Sequence, residues 1–227
     1  MCTIAFAYDV YPEVVVASNR DEEYGRSFEP PARRDWGDGW VVAPVDRREG
    51  GTWLGFNGHG LVVTLANLPV YSVEETRSRG LLCRDVLGCG SVDEARGVVE
   101  RSFVDHGYDG FNLVVLSRQD GFVAVHDTVD LELYEPSGFE VVTNSRFDEP
   151  DEKARKVREK LPDAGSAEGW LTEMQPVLRD HEADVCAHHD GRGTTSSNLV
   201  VVREPVEESS YRFADGAPCE SEYEKLF

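Results

Sequence analysis

Hydrophobic and polar positions alternate from the first residues. Residues 3–8 (Thr-Ile-Ala-Phe-Ala-Tyr) read as a strand, residues 9–12 as a turn, and residues 14–18 as a second strand that runs into a polar cluster. Residues 25–39 carry Pro30-Pro31 and Gly37-Asp38-Gly39, and read as irregular. Short strands are expected at 40–43, 52–56 and 61–65, separated by Gly50-Gly51 and Gly58-His59-Gly60. Helical patterns follow at 78–87 and 92–104, with Ser91 and Asp93 as capping residues of the second. The sequence then repeats this order. Strands are expected at 111–117, 122–127, 131–134 and 140–143, helices at 151–161 and 167–178, and closing strands at 197–202 and 211–213. No linker or internal repeat separates the two blocks. The pattern predicts one domain spanning 1–227, of α+β class. Two mainly antiparallel sheets covered by helices would form a four-layer αββα sandwich.

Composition narrows the picture. Hydrophobic residues are 40% of the 227, enough for a sizeable core and too many for a disordered acidic tail. No apolar run approaches the roughly 18 residues of a transmembrane helix, so no membrane span is expected. The 43 Asp and Glu against 23 Lys and Arg leave a net charge of −20, which repels nucleic acid. Lysine stands only at Lys153, Lys156, Lys160 and Lys225, so arginine supplies most of the positive charge. An acid excess with Arg over Lys predicts a halophilic protein. In molar salt the Debye length falls to about 3 Å and self-repulsion is screened. The N-terminus lacks a basic secretory n-region, so a cytoplasmic location is expected.

The five cysteines, Cys2, Cys83, Cys89, Cys186 and Cys219, form no CxxC pair and fit a reducing compartment. Cys83 lies in an apolar helical stretch and reads as a core residue. His188-His189-Asp190 with nearby Cys186 is metal-like in composition. Gly191, Gly193 and polar neighbours suggest instead a mobile loop without rigidly spaced ligands, so no metal and no cofactor is expected.

Cys2 is the most informative position. Removal of Met1 would leave a thiol and a free α-amine on one residue, and the amine, with a pKa of roughly 7.7–8.0, can act as its own general base. The hairpin returns Asn19-Arg20-Asp21-Glu22 beside Cys2. An arginine and an ammonium there would lower the thiol pKa, and an aspartate would hold the amine. Gly50-Gly51-Thr52-Trp53-Leu54-Gly55 lacks the GK[ST] ending of a phosphate loop. Its glycines suggest close backbone approach, with Trp53 either lining a pocket or filling core.

Met1-Cys2-Thr3-Ile4, Asn19-Arg20-Asp21-Glu22, the GGTWLG motif, Thr64-Leu65-Ala66-Asn67, Ser78-Arg79-Gly80 and Val142-Thr143-Asn144-Ser145 together resemble the NRDE family of transport and Golgi organization proteins. More distantly, the same skeleton resembles N-terminal-nucleophile (Ntn) hydrolases of the penicillin V acylase and bile salt hydrolase type. That resemblance implies catalytic roles for Cys2, Asp21, Asn67 and Asn144. Arg20 departs in position, because the acylases carry their arginine where this chain has Ser18. Arg192 is the candidate for their late arginine.

Two functions follow. One is a cysteine Ntn hydrolase acting on linear amide C–N bonds. It would use Cys2, Arg20, Asp21, Asn67 and Asn144 catalytically, with Asn19 and Trp53 contacting a small-molecule amide. The other, implied by the NRDE resemblance, is a non-catalytic protein that binds an apolar ligand or serves trafficking, with lipid or haem handling. No CxxCH attachment motif is present for haem.

Overall fold

The computed structural model describes residues 2–37, 39–72 and 76–227, so Met1, and Asp38 of the expected Gly-Asp-Gly break, lie outside the described residues. In chain order the elements are β1 (Thr3–Tyr8), β2 (Val14–Glu23), β3 (Phe28–Asp35), β4 (Trp40–Asp46), β5 (Leu54–Asn57), β6 (Val62–Asn67), α1 (Arg79–Leu87) and α2 (Val92–Asp105). There follow β7 (Phe111–Leu116), β8 (Gly121–His126), β9 (Leu131–Tyr134), β10 (Gly138–Val142), α3 (Glu152–Glu159) and α4 (Ala167–Leu178). The chain closes with β11 (His188–His189), β12 (Arg192–Val202), β13 (Ser210–Asp215) and β14 (Glu224–Lys225). Among the described residues this is an α+β fold of two antiparallel sheets and four α-helices.

Two compact units divide the chain: Met1–Arg26 with Ser137–Phe227, and Ser27–Pro136. The first unit holds the sheet β10-β1-β2-β12-β13-β14, with β11 paired to β12. Ala5, Ala7, Val15, Ala17, Leu199 and Val201 pack on one face against Ala154 and Val157 of α3 and Trp170, Leu171 and Met174 of α4. Ile4, Phe6, Val14 and Val16, on the opposite face, are buried as well. Burial on both faces explains why β2 opens on an unbroken apolar run instead of an alternation.

The second unit is a seven-stranded meander, β3 through β9 in order. Leu82, Val86 and Leu87 of α1 and Ala95 and Val99 of α2 pack on Val41, Val63, Leu113 and Ala124. Ser91 caps α2 by accepting the Glu94 N–H at 3.2 Å, as expected; such a cap is worth about 1 kcal/mol. Asp151 and Ser166 cap α3 and α4 in the same way.

The expectation of an irregular 25–39 segment needs correction, because β3 fills most of it. Its register shifts between Glu29 and Ala32, where Pro30 and Pro31 sit. β3 is an edge strand, the one place where prolines without N–H donors leave no ladder bond unmade. The GGTWLG motif follows expectation. A Cβ on Gly51 would stand 2.3 Å from the Gly80 carbonyl carbon and 2.6 Å from its oxygen, and Gly50 has φ +72°. Gly51 and Gly80, from two separate motifs, are the two sides of one backbone crossing.

Candidate active site

The hairpin register assembles the first unit's polar residues. Ile4 faces Ser18 on β2 and Val142 on β10. Continuing the β1–β2 register past Thr3↔Asn19 by one residue sets Cys2 level with Arg20, and Asn144 lies two residues beyond the end of β10. Asn144 is half-buried in the bend that follows β10. The Asp21 backbone N–H contacts the Cys2 sulfur.

Side chains on β2 alternate. Asn19 and Asp21 share the face of Val15 and Ala17, toward the helices, whereas Arg20 shares the face of Ser18 and Val16. Asn19 is buried and engaged. Its amide donates to the Leu178 and Val185 carbonyls, both at 2.8 Å, and accepts the Ser197 hydroxyl at 2.6 Å. Asn19 thereby ties the end of α4 and the loop after it to β2.

A β-bulge prepares the setting of Asp21 and Arg20. The β2–β12 register shifts between Thr194 and Ser196, so Thr195 is the extra residue. The shift re-phases β12, and Thr194 reaches the Asp21 face, donating its hydroxyl to Asp21 Oδ1 at 2.6 Å. Thr195 accepts from Arg20 Nη1 at 3.0 Å and donates to the Arg20 carbonyl at 3.2 Å. Arg20 Nη2 also lies 3.7 Å from Glu22.

Lys153 is the residue the sequence did not reveal. Its Nζ stands 3.7 Å from Asp21 Oδ2, with side-chain exposures of 10% and 1%. It has no hydrogen-bond partner among the described residues. Lys153 lies in the first turn of α3, where the helix dipole opposes a cation, and the Asp21 carboxylate offsets that cost.

Burial dominates the titration of both central groups. With Met1 in place, it pushes the Cys2 thiol up; the terminal ammonium draws it down, the Asp21 charge raises it, and the Asp21 N–H and Arg20 lower it by less. With Met1 in place, desolvation outweighs the nearby cations, Arg20 among them. The Asp21 carboxyl is likewise raised by burial, against Lys153, the ammonium and the Thr194 hydroxyl, which lower it.

Asn67 and Trp53 belong to the second unit. Asn67 ends β6 opposite Phe111 and is half-buried. The Trp53 ring meets Phe28 edge-on at 5.5 Å, and its carbonyl accepts the Leu65 N–H at 2.9 Å. Arg192 opens β12, exposed and paired in register with Glu23.

The expected mobile loop at 188–190 is instead a short hairpin: β11 pairs with β12. His181, Cys186, His188 and Cys219 gather beside it, with one ligand atom from each lying within 4.8 Å of the others. The sequence singled out Cys186 and His188 but not Cys219, which comes 33 residues after Cys186.

The fold and family are matched by known proteins. A bovine (Bos taurus) Transport and Golgi organization protein 2 homolog is 35% identical over 138 residues, covering 54% of this chain and 48% of the relative. The chain thus spans about half the length of the curated relatives it matches. Penicillin V acylase from Agrobacterium tumefaciens superposes with a TM-score of 0.62 at 14% identity, covering 94% of this chain and 83% of the acylase. The N-acylethanolamine-hydrolyzing acid amidase ortholog of Caenorhabditis elegans gives 0.61 at 16%, covering 87% and 92%. At these identities the structures show a shared Ntn-hydrolase-like fold. The family model described as Transport and Golgi organisation 2 matches residues 1–205, and the chain belongs to that family.

Proposed function

We infer that the chain is a cysteine Ntn hydrolase that cleaves linear amide C–N bonds of a small-molecule substrate, with Cys2 as nucleophile after removal of Met1. Met1 lies outside the described residues. The observation that carries this reading is that the β1–β2 register brings Arg20 and Asp21 to Cys2 at one end of the first sheet. The two structural neighbours, a penicillin V acylase and an N-acylethanolamine-hydrolyzing acid amidase, support the reaction class.

In this reading the thiol is activated during attack and not beforehand. The α-amine of the mature Cys2 takes the thiol proton as sulfur bonds to the amide carbonyl carbon. Asn144 donates to the oxyanion, a contribution of about 3–4 kcal/mol for a single donor. The resemblance gives Asn67 the same role. The ammonium then protonates the leaving amine as the C–N bond breaks, and water, deprotonated by the amine, releases the acyl group. Asp21 holds the ammonium, backed by Thr194 and Lys153.

The test is hydrolysis of a panel of N-acyl amides by the mature chain and by Cys2→Ala, Asn67→Ala and Asn144→Ala. The reading expects turnover that Cys2→Ala abolishes and each Asn→Ala lowers about 10²–10³-fold. Turnover unaffected by Cys2→Ala, or none on any amide, overturns it. A binding or trafficking role then takes its place, the role that the family's name suggests.

The setting we infer is a salt-rich cytoplasm. With a charge of −20, the melting temperature is expected to fall as KCl drops from molar to about 0.1 M, where the Debye length reaches about 10 Å. An unchanged melting temperature overturns the halophilic reading.

A further inference from the structure

We propose that His181, Cys186, His188 and Cys219 form a zinc site that clamps the C-terminal segment to the loop between α4 and β11. Cys186 Sγ stands 3.5 Å from Cys219 Sγ and 3.6 Å from His188 Nε2, and His188 Nε2 stands 3.2 Å from Cys219 Sγ. Around a tetrahedral zinc, with Zn–S of about 2.3 Å and Zn–N of about 2.0–2.1 Å, ligand atoms stand about 3.3–3.8 Å apart. Three ligands therefore already sit near coordination spacing. The widest separation in the set, 4.8 Å, exceeds that spacing by about 1 Å. His181, His188 and Cys219 are exposed and able to close it, whereas Cys186 is buried and fixed.

The surroundings hold these groups as a metal shell does. His181 Nδ1 lies 3.0 Å from the Cys186 carbonyl, which sets the tautomer that leaves Nε2 as the donor. Arg179 Nε donates to the Pro218 carbonyl at 2.9 Å and fixes the residue before Cys219. The Asp180 carbonyl accepts the N–H groups of Val185 and Cys186, at 3.0 and 2.9 Å. His189, next along the two-residue strand, turns away and pairs with Asp184 at 3.1 Å, so the His-His pair divides between two partners. Two thiols and two imidazoles suit tetrahedral zinc, and a closed four-protein-ligand set is structural, not catalytic. Binding of Zn²⁺ converts both thiols to thiolates and releases two protons.

The clamp lies one residue from the candidate active site. Ala187, after Cys186, donates its N–H to Thr194 Oγ1 at 2.9 Å, and Thr194 is the hydroxyl that holds Asp21. Cys219 lies beyond residues 1–205, the span matched by the family model.

The experiment uses the untagged full chain, purified under reductant. Zinc is measured per chain, and Co²⁺ is titrated into the metal-free chain. We expect about one zinc per chain, with tetrahedral cobalt bands and a thiolate-to-cobalt charge-transfer band. Cys219→Ser and His188→Ala change exposed residues, so far-UV circular dichroism should be unaltered while cobalt affinity drops at least tenfold. Cys219→Ser should also weaken the charge-transfer band. Three results overturn the proposal: reduced wild type with neither zinc nor cobalt bands; bands unchanged in both variants; or a Cys186–Cys219 disulfide, without metal, in chain isolated without reductant.

Discussion

Asn57 in the second unit and Asp21 in the first are both buried polar residues on strands, yet they are satisfied in different ways. The Asn57 amide donates to the Leu87 and Cys89 carbonyls at 2.9 and 2.7 Å and accepts the N–H groups of His59 and Leu61 at 3.0 and 3.1 Å. A neutral group is there spent wholly on backbone, tying the β5–β6 turn to the end of α1. Asp21 is a charge that faces a charge, Lys153, and a hydroxyl. Burying an ion pair costs desolvation that its attraction only roughly repays. Asn57 thus holds the fold, whereas the Asp21–Lys153 pair, under the proposed function, holds the amine of Cys2.

The sharpest way to break this contrast is at the backbone crossing. Gly51→Ala places a methyl group 2.3 Å from backbone that cannot yield, so a loss of about 4 kcal/mol or more is expected. Chemical denaturation measures it, and a wild-type midpoint would mean that the crossing opens freely. Next in size is Asn57→Ala, which leaves two carbonyls and two N–H groups without their buried partner. A cost of about 2–4 kcal/mol is expected, with hydrolysis per folded chain unchanged. Lost activity at full stability would erase the division between the units.

Lys153→Met sharpens the contrast from the other side. The Asp21 carboxyl is already raised in the folded chain, so the folded state holds its proton to higher pH than the unfolded state does. Stability therefore falls as pH rises from the unfolded value of about 3.9 through the folded one. Removing Lys153 raises Asp21 further and widens that window. The variant should match or exceed wild type near pH 4 and fall about 1–3 kcal/mol below it at pH 8. The acid limb of its rate profile should move to higher pH. Parallel stability curves and an unmoved acid limb would show that Lys153 does not act on Asp21.

Much of this was legible in the sequence for physical reasons. Apolar runs marked β1, β2 and β6, and Ser91 marked the start of α2, because local propensity and tertiary burial agree there. The segment at Pro30-Pro31 was illegible because only its edge position lets it pair. Hairpin geometry brought Arg20 and Asp21 to Cys2. Thr194 comes from 173 residues away and reaches Asp21 only through a bulge. Lys153 looks like Lys156 and Lys160 until the fold turns it, and not them, toward Asp21. Around the thiol, sequence lists neighbouring charges but not the loss of water around them.

The central claim is that Cys2 is an N-terminal nucleophile. Its most direct test is to incubate the natively expressed chain with an activated N-acyl amide, quench in acid, and determine intact mass and the acylated residue. The account predicts a chain lacking Met1 with a single acyl group on Cys2, and no adduct on Cys2→Ala. Retention of Met1, or acylation that bypasses Cys2, would contradict it.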